Sequence, residues 1–237
     1  MTPLPLLWRG AGLVAVDKPA GVLVVPGRQE KACVRVLLEA SLGQPVWVVH
    51  RLDRDTSGLL LFALDAASHR AANLAFETGR VKKTYLALVA PALERARNMD
   101  LPLVPARRGR MRLARPGEVG KAAQTRLVPV EWYPEAGLVQ AEPLTGRTHQ
   151  IRLHLQAAGS PLLVDPQYGR PEAVKAAALG GTGEDVVLAR TPLHAARLVL
   201  DGGGGLPAID LEAPLPADMR RAVALLRRQG PTVKEGD

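Results

Sequence analysis

The residues that most clearly could do chemistry lie in a polar segment, 50–58, between two short apolar runs. Within it, Asp53 is flanked by Arg51 and Arg54. A polar segment between two buried strands is a loop held by a rigid scaffold, and catalytic side chains concentrate in such loops. An ionised aspartate can act as a nucleophile or as a general base, and the sequence leaves both roles open.

A second dense polar cluster, 145–152, lies where a helix is predicted to begin. It ends in Arg152, a candidate partner for Asp53, because an arginine at contact distance favours the ionised form of a carboxylate. A structural ion pair is the commoner role for each residue taken alone. The spacing does not show that the two clusters meet.

Several kinds of site are missing from the sequence. It contains no phosphate-binding or dinucleotide-binding glycine motif, no histidine pair at zinc-binding spacing, and no nucleophile-elbow serine. The single cysteine, Cys33, excludes an intramolecular disulfide and a cysteine-based zinc site. The sequence therefore implies neither a cofactor nor a metal.

The charge of the chain points to a polyanionic partner, either nucleic acid or a membrane surface. The formal net charge is +8, and five arginines without compensating acids occur within residues 107–115: Arg107, Arg108, Arg110, Arg112 and Arg115. We interpret this stretch as an exposed basic loop that faces phosphate groups. Tyr85, which follows two lysines, could stack on a nucleobase, although a half-buried strand tyrosine is the commoner case. No apolar run approaches a membrane span and no signal peptide is evident, so we expect a cytoplasmic protein.

The elements that must position these residues are mostly strands joined by short turns. Helices are predicted over 31–40, 66–79 (capped by Asp65), 148–158 and 216–228. Strands are predicted over 12–17, 22–25, 46–49, 59–64, 85–89, 123–131, 138–143, 161–164, 195–200 and 208–212. Residues 170–190 read as an insert, which is a candidate determinant of substrate choice. This pattern favours an α+β fold with a mixed or antiparallel sheet.

Four stretches, in the same order, resemble motifs of the RluA-type pseudouridine synthases. Residues 50–63 resemble the signature loop of that family, and residues 83–89 resemble its Lys-x-Tyr-x-Ala-x-Val segment. Residues 144–154 resemble its third motif, and residues 17–21 its entry turn; residues 193–195 agree with a late strand. The likeness spans about residues 10–215. The first and third motifs are long and specific.

The resemblance implies a fold, a reaction and a set of roles. The fold would be the family's α+β catalytic core, with a long mixed, mainly antiparallel sheet, flanking helices and a central active-site cleft. It would form one domain over residues 1–237, without the S4-type RNA-binding domain of some relatives. Asp53 would be the catalytic aspartate, Tyr85 would stack on the target base, and Arg152 would be the ion-pair partner of Asp53.

The resemblance also assigns contacts with RNA. Arg51 would enter the RNA helix where the flipped base had been. The other predicted RNA contacts are Lys83, Arg107, Arg108, Arg110, Arg112 and Arg147. The expected substrate is a structured stem-loop of ribosomal or transfer RNA, and the expected enzyme is a cytoplasmic monomer without metal or cofactor. The alternatives are a catalytically silent RNA-binding or ribosome-assembly factor on the same scaffold and a glycosidase-like enzyme that releases the base.

Overall fold

The structure is a computed structural model that describes residues 4–27 and 30–230. The helices of this part of the chain are α1 (Val34–Leu42), α2 (Ala66–Glu77), α3 (Gln150–Ala157) and α4 (Ala217–Arg228), with short 3₁₀ turns at Arg107–Gly109 and Ala176–Leu179. Its strands are β1 (Leu6–Gly10), β2 (Leu13–Lys18), β3 (Trp47–Val48), β4 (Ser57–Ala63), β5 (Val81–Val89), β6 (Arg97–Asp100), β7 (Leu103–Pro105), β8 (Met111–Leu113), β9 (Gln124–Trp132), β10 (Gly137–Pro143), β11 (Val174–Lys175), β12 (Val186–Leu188), β13 (Leu193–Leu200) and β14 (Ile209–Glu212). The described chain divides into two compact units, residues 4–84 with 194–214 and residues 85–193 with 215–230.

The first unit is built around β4, whose seven residues are all buried. A strand that is covered on both faces reads as a continuous apolar run, as Leu59–Ala63 does. β4 pairs antiparallel with β2 and with β3, and parallel with β13, which in turn pairs antiparallel with β14. The sheet of this unit is therefore mixed.

Helix α2 follows β4 and packs against β3 and β4. It begins where expected, because the Asp65 carboxylate accepts hydrogen bonds from the Ser68 amide at 2.8 Å and from the Ser68 hydroxyl at 2.9 Å. Ala72 and Ala75 are its buried residues, whereas Leu74 is 53% exposed. The predicted cap is therefore confirmed.

The second unit carries an antiparallel sheet in the order β5, β10, β9, β6, in which residues 85–89 of β5 take part. Helix α4 packs its apolar side, with Met219, Ala222 and Leu226, against β12 and the 3₁₀ turn at Ala176–Leu179. Strands β7 and β8 form a separate hairpin. The antiparallel pairs in both units and the parallel pairing of β4 with β13 confirm the predicted α+β class with a mixed, mainly antiparallel sheet.

Two predicted strands are wrong. Residues 22–25 form no strand, because their carbonyls are used elsewhere: Leu23 and Val24 accept the Val34 and Arg35 amides at the start of α1, at 2.8 and 3.1 Å. Residues 161–164 form only an isolated bridge, between Leu162 and Val89. Short apolar runs bury well in irregular conformations, so apolar character alone does not make a strand.

Other elements differ from the prediction in kind. The expected basic loop is largely the β7–β8 hairpin, and its arginine-rich tip is the 3₁₀ turn Arg107–Gly109. The interpreted insert contains the short hairpin β11–β12. Strands β1 and β6 were not predicted, since neither shows an apolar alternation in its sequence.

The parallel pairing of β4 with β13 leads to a stability prediction. A β-carbon at Gly58 would stand 2.2 Å from the Ala195 carbonyl oxygen, and the φ angle of Gly58 is 108°. We expect Gly58→Ala to lower the free energy of unfolding by about 3 kcal/mol or more, because it adds a backbone collision to the strain. Urea unfolding measures this change.

Gly79→Ala is the matched control. Gly79 also has a positive φ, 73°, but a β-carbon there meets nothing within 4 Å. It should therefore lose only about 1 kcal/mol, the cost of the left-handed backbone alone. Equal losses in the two variants would show that the close approach at Ala195 has no energetic consequence.

Candidate active site

The loop between β3 and β4 holds Asp53 half-buried and Arg51 exposed. The Thr56 amide donates to the Asp53 carbonyl oxygen at 3.2 Å, which closes a tight turn just before β4 begins. A rigid strand thus follows the carboxylate within four residues. The loop presents Asp53 at the end of a buried scaffold, as its polar sequence predicted.

The ammonium group of Lys18 fixes this loop through hydrogen bonds to backbone carbonyl oxygens. Lys18 is fully buried, and its Nζ donates to the carbonyl oxygens of Pro19, Val22 and Arg54, each at 2.8 Å. Gly21 adds two contacts with the same residue of the loop: its amide donates to the Arg54 carbonyl at 2.9 Å, and its carbonyl accepts from Arg54 Nε at 3.0 Å. The turn after β2 therefore holds the backbone next to Asp53.

His50 anchors the start of the loop. Its Nε2 accepts the Leu61 amide at 3.0 Å, and its ring stacks on Phe76 with centroids 4.7 Å apart. Burial, and then the charge of Lys83, lower the pKa of His50 to about 3. The imidazole is therefore neutral near pH 7, as an acceptor of an amide hydrogen must be.

Lys83 also lies near the ring of Phe76. Its Nζ is 6.0 Å from the Phe76 centroid, and burial lowers its pKa. The residue is only half-buried, so part of its side chain meets solvent. Its assignment as an RNA contact stays a prediction.

The end of the loop is fixed by a buried polar pair. Ser57 Oγ lies 3.0 Å from His194 Nδ1, and His194 Nε2 lies 3.3 Å from the Ala213 carbonyl oxygen. Both side chains are buried, and they face each other where β4 and β13 run parallel. The late Leu-His-Ala segment of the sequence thus supports the loop through hydrogen bonds to β4.

In the second unit, Arg152 lies on α3 and is 7% exposed. Its Nε donates to Asp165 Oδ2 at 2.8 Å, and its Nη2 donates to Asp165 Oδ1 at 2.6 Å. Burial alone would raise the pKa of the Asp165 carboxyl, but the hydrogen bonds and charge of Arg152 hold that pKa below its usual value. The amides of Gln167 and Tyr168 donate to the same carboxylate.

Asp165 was not predicted as a functional residue. Its partner lies 13 positions earlier in the chain, beyond the reach of any local spacing rule. The apolar run that ends in Asp165 was the available signal, because an aspartate that follows such a run is well placed to accept backbone amides. The predicted pairing of Arg152 with Asp53, which belongs to the other unit, stays a prediction.

Tyr85, the predicted stacking residue, lies in β5 opposite Ala141 of β10 and is 8% exposed. Arg147 is exposed at the start of α3, where its Nε donates to the Ala122 carbonyl at 3.0 Å. The buried Gln150 ties this helix start to β9, because its Nε2 donates to the Gln124 carbonyl and to Thr125. The cluster 145–152 is therefore a rigidly held helix start that exposes one arginine and buries another.

The arginines of the β7–β8 hairpin, the basic hairpin, fall into two groups. Arg107 and Arg110 are exposed at the tip and form no ion pair within residues 4–27 and 30–230. Arg112 instead forms a two-pronged ion pair with Glu118, at 2.6 and 2.7 Å, whose hydrogen bonds lower the pKa of Glu118 to about 2. The side chain of Arg108 lies outside the described part of the structure. Glu118 is the compensating acid that the sequence analysis overlooked.

Within the described residues the structure shows neither a metal-binding cluster nor a membrane-spanning helix. No group of three or more His, Cys, Asp or Glu side chains is arranged there to hold a metal ion. No helix in the same ranges is both long enough and apolar enough to cross a membrane.

A family model described as RNA pseudouridylate synthase matches residues 12–157. That range contains the loop with Asp53, the strand with Tyr85 and the helix with Arg152. The ribosomal large subunit pseudouridine synthase D of Nitrosomonas europaea is 36% identical over 95% of this chain and 66% of its own length. The ribosomal large subunit pseudouridine synthase C of Escherichia coli is 34% identical over 94% of this chain and 70% of its own length.

Two solved human structures have the same fold. The RNA pseudouridylate synthase domain containing 4 protein matches with a TM-score of 0.73 and 24% identity, over 94% of this chain and 93% of its own. The domain containing 1 protein matches with a TM-score of 0.73 and 23% identity, over 99% and 97%. These similarities support only the fold of this chain.

The neutral state of His50 predicts how stability depends on pH. The unfolded histidine has a pKa near 6.5 and binds a proton more readily than the folded one. The stability that His50 contributes is therefore complete above about pH 6.5, and it falls as the pH approaches about 3, by at most about 1.4 kcal/mol per pH unit.

His50→Gln is the variant that tests this dependence, since its amide oxygen can still accept the Leu61 amide but does not titrate. Urea unfolding of both proteins from about pH 7 to about pH 4 measures the slopes. We expect the wild type to lose stability more steeply than the variant. Parallel curves would mean that His50 keeps its proton affinity on folding.

Proposed function

Since this chain belongs to the RNA pseudouridylate synthase family, we propose that it isomerises specific uridines of structured RNA to pseudouridine through the carboxylate of Asp53. The proposal rests on the fixed conformation of the loop that presents Asp53. Asp53 is half-buried, and the backbone beside it is fixed by Lys18 and Gly21. A carboxylate presented on a rigid support keeps its orientation through the reaction.

The reaction balances without a further reactant. The bond between C1′ and N1 of uridine breaks, the base turns, and a bond forms between C1′ and C5. The hydrogen on C5 leaves as a proton to solvent, and N1 gains a proton. Substrate and product are isomers, so the proposal requires no cofactor.

The remaining roles follow from the chemistry of this step. A base must leave its stack to be reached, at a cost of a few kcal/mol, and the exposed Arg51 is proposed to fill the gap that it leaves. Tyr85 would hold the detached uracil by stacking. Arg152 would be the ion-pair partner of Asp53, in addition to its pair with Asp165. Asp53 itself would either attack C1′ or remove a proton.

We propose ribosomal RNA as the substrate, because the curated relatives are named for the large ribosomal subunit. A stem-loop of transfer RNA is the second candidate. We also propose a monomer with a single catalytic domain and a central cleft, working in the cytoplasm, where such RNA is found. Mapping pseudouridines in cells that lack the protein would identify the modified site.

The catalytic proposal predicts the behaviour of Asp53→Asn. We expect this variant to lose turnover by at least about 1000-fold, since an amide is neither a nucleophile nor a base here. Release of tritium from RNA labelled at uridine C5 measures turnover. RNA affinity and the urea unfolding transition should stay close to those of the wild type, which separates lost chemistry from lost folding.

Near-wild-type turnover in Asp53→Asn would remove Asp53 from the mechanism. A wild-type protein that binds RNA but releases no tritium would instead favour the catalytically silent factor. Free uracil among the products would favour a glycosidase-like enzyme.

The charge pattern predicts salt-sensitive binding through the tip of the basic hairpin. Arg107→Ala with Arg110→Ala should flatten the slope of log affinity against log salt by about 1 to 2, because two phosphate contacts are lost. Arg220→Ala with Arg228→Ala is the matched control: it removes the same charge from exposed positions on α4. If both pairs change the slope equally, net charge and not the hairpin governs affinity.

A further inference from the structure

Tyr168 lies where three parts of the second unit meet. Its hydroxyl accepts the amide of Met111 at 2.9 Å, and Met111 is the first residue of β8, directly after the arginine-rich tip. The same hydroxyl lies 2.6 Å from Nδ1 of His149, the residue before α3. One oxygen therefore joins the basic hairpin to the helix that carries Arg152.

The ring of Tyr168 makes a second connection to that helix. The guanidinium carbon of Arg152 is 4.8 Å from the ring centroid, and the ring meets His149 edge-on at 5.3 Å. The Tyr168 amide also donates to the Asp165 carboxylate at 3.1 Å, the group that holds the Arg152 fork. Both the backbone and the ring of Tyr168 thus fix the position of Arg152.

The helix start is held in an unusual conformation at this junction. His149 has a φ angle of 57°, in the left-handed region that non-glycine residues adopt at some cost. Its contacts with Tyr168 help to hold it there, since strained residues persist only where their surroundings determine them. The side chain of Tyr168 therefore contacts the hairpin, the strained residue His149 and Arg152.

We propose that Tyr168 is a positioning residue that couples RNA bound at the basic hairpin to the orientation of Arg152. This inference rests on the proposed roles of Arg107, Arg110 and Arg152. The hydroxyl holds the hairpin against the start of α3, and the ring holds the guanidinium. RNA that binds Arg107 and Arg110 then stabilises the arrangement in which Tyr168 holds the guanidinium of Arg152.

The two parts of the side chain can be removed separately. Tyr168→Phe deletes the hydroxyl but keeps the ring under Arg152, so we expect RNA Kd and KM to rise about fivefold, with kcat within about twofold. Tyr168→Leu deletes both, so kcat should also fall by about tenfold or more. Tritium release and filter binding measure these quantities. Tyr133→Phe is the control, because it removes a tyrosine hydroxyl that bonds to Glu131. This variant should leave Kd, KM and kcat unchanged.

A double-mutant cycle tests whether the hydroxyl acts through the hairpin. If it does, Tyr168→Phe should weaken RNA binding little in the Arg107→Ala, Arg110→Ala background, where the contacts that it orients are already gone. Additive losses, or an unchanged Kd and KM in Tyr168→Phe alone, would overturn the proposal. The Kd measurements do not depend on turnover, whereas the proposed function stands or falls on tritium release by the wild type. Tyr168→Phe carries the test if Tyr168→Leu fails to fold.

Discussion

The loop that presents Asp53 depends on one buried charge, the ammonium of Lys18. A buried ammonium is unfavourable by several kcal/mol unless hydrogen bonds replace its hydration. Lys18 has three N–H donors, and the carbonyls of Pro19, Val22 and Arg54 accept from its Nζ. Pro19 belongs to the entry turn, Val22 directly follows that turn, and Arg54 lies in the loop that presents Asp53. The bond to Arg54 forms only when the loop is in place, so loop order is linked to the stability of β2 and its turn.

The arginines of this basic chain have two different tasks. Many are used in folding: Arg112 pairs with Glu118, Arg152 with Asp165 and Arg190 with Asp218. These pairs fix hairpins, helix starts and turns, and they offer less to a polyanion. The exposed tip of the basic hairpin differs because Arg107 and Arg110 have no ion pair within residues 4–27 and 30–230. Net charge alone therefore does not locate an RNA contact, and Arg107 and Arg110 are the proposed contacts of this hairpin.

What the sequence could predict was mostly local. The Asp65 cap, the strands on either side of residues 50–58 and the helix start near Gln150 all depend on neighbouring residues, and the structure confirms them. The strand expected over residues 22–25 failed because its carbonyls accept the first amides of α1. The contacts that the sequence did not predict are long-range: Lys18 reaches Arg54, Arg152 reaches Asp165, and Tyr168 reaches Met111. Such contacts depend on the packing of distant segments, which spacing does not encode.

The pair between Arg152 and Asp165 bears on the proposed role of Arg152. A guanidinium has five N–H donors in a fixed plane, and the bonds to Asp165 come from Nε and Nη2. One arginine has enough donors for two carboxylates, which here are Asp165 and, in the proposed mechanism, Asp53. The two bonds to Asp165 hold the plane of the guanidinium in a fixed orientation. An arginine that is already oriented loses little side-chain entropy when it binds a second carboxylate, which makes it a better electrostatic partner than a mobile one.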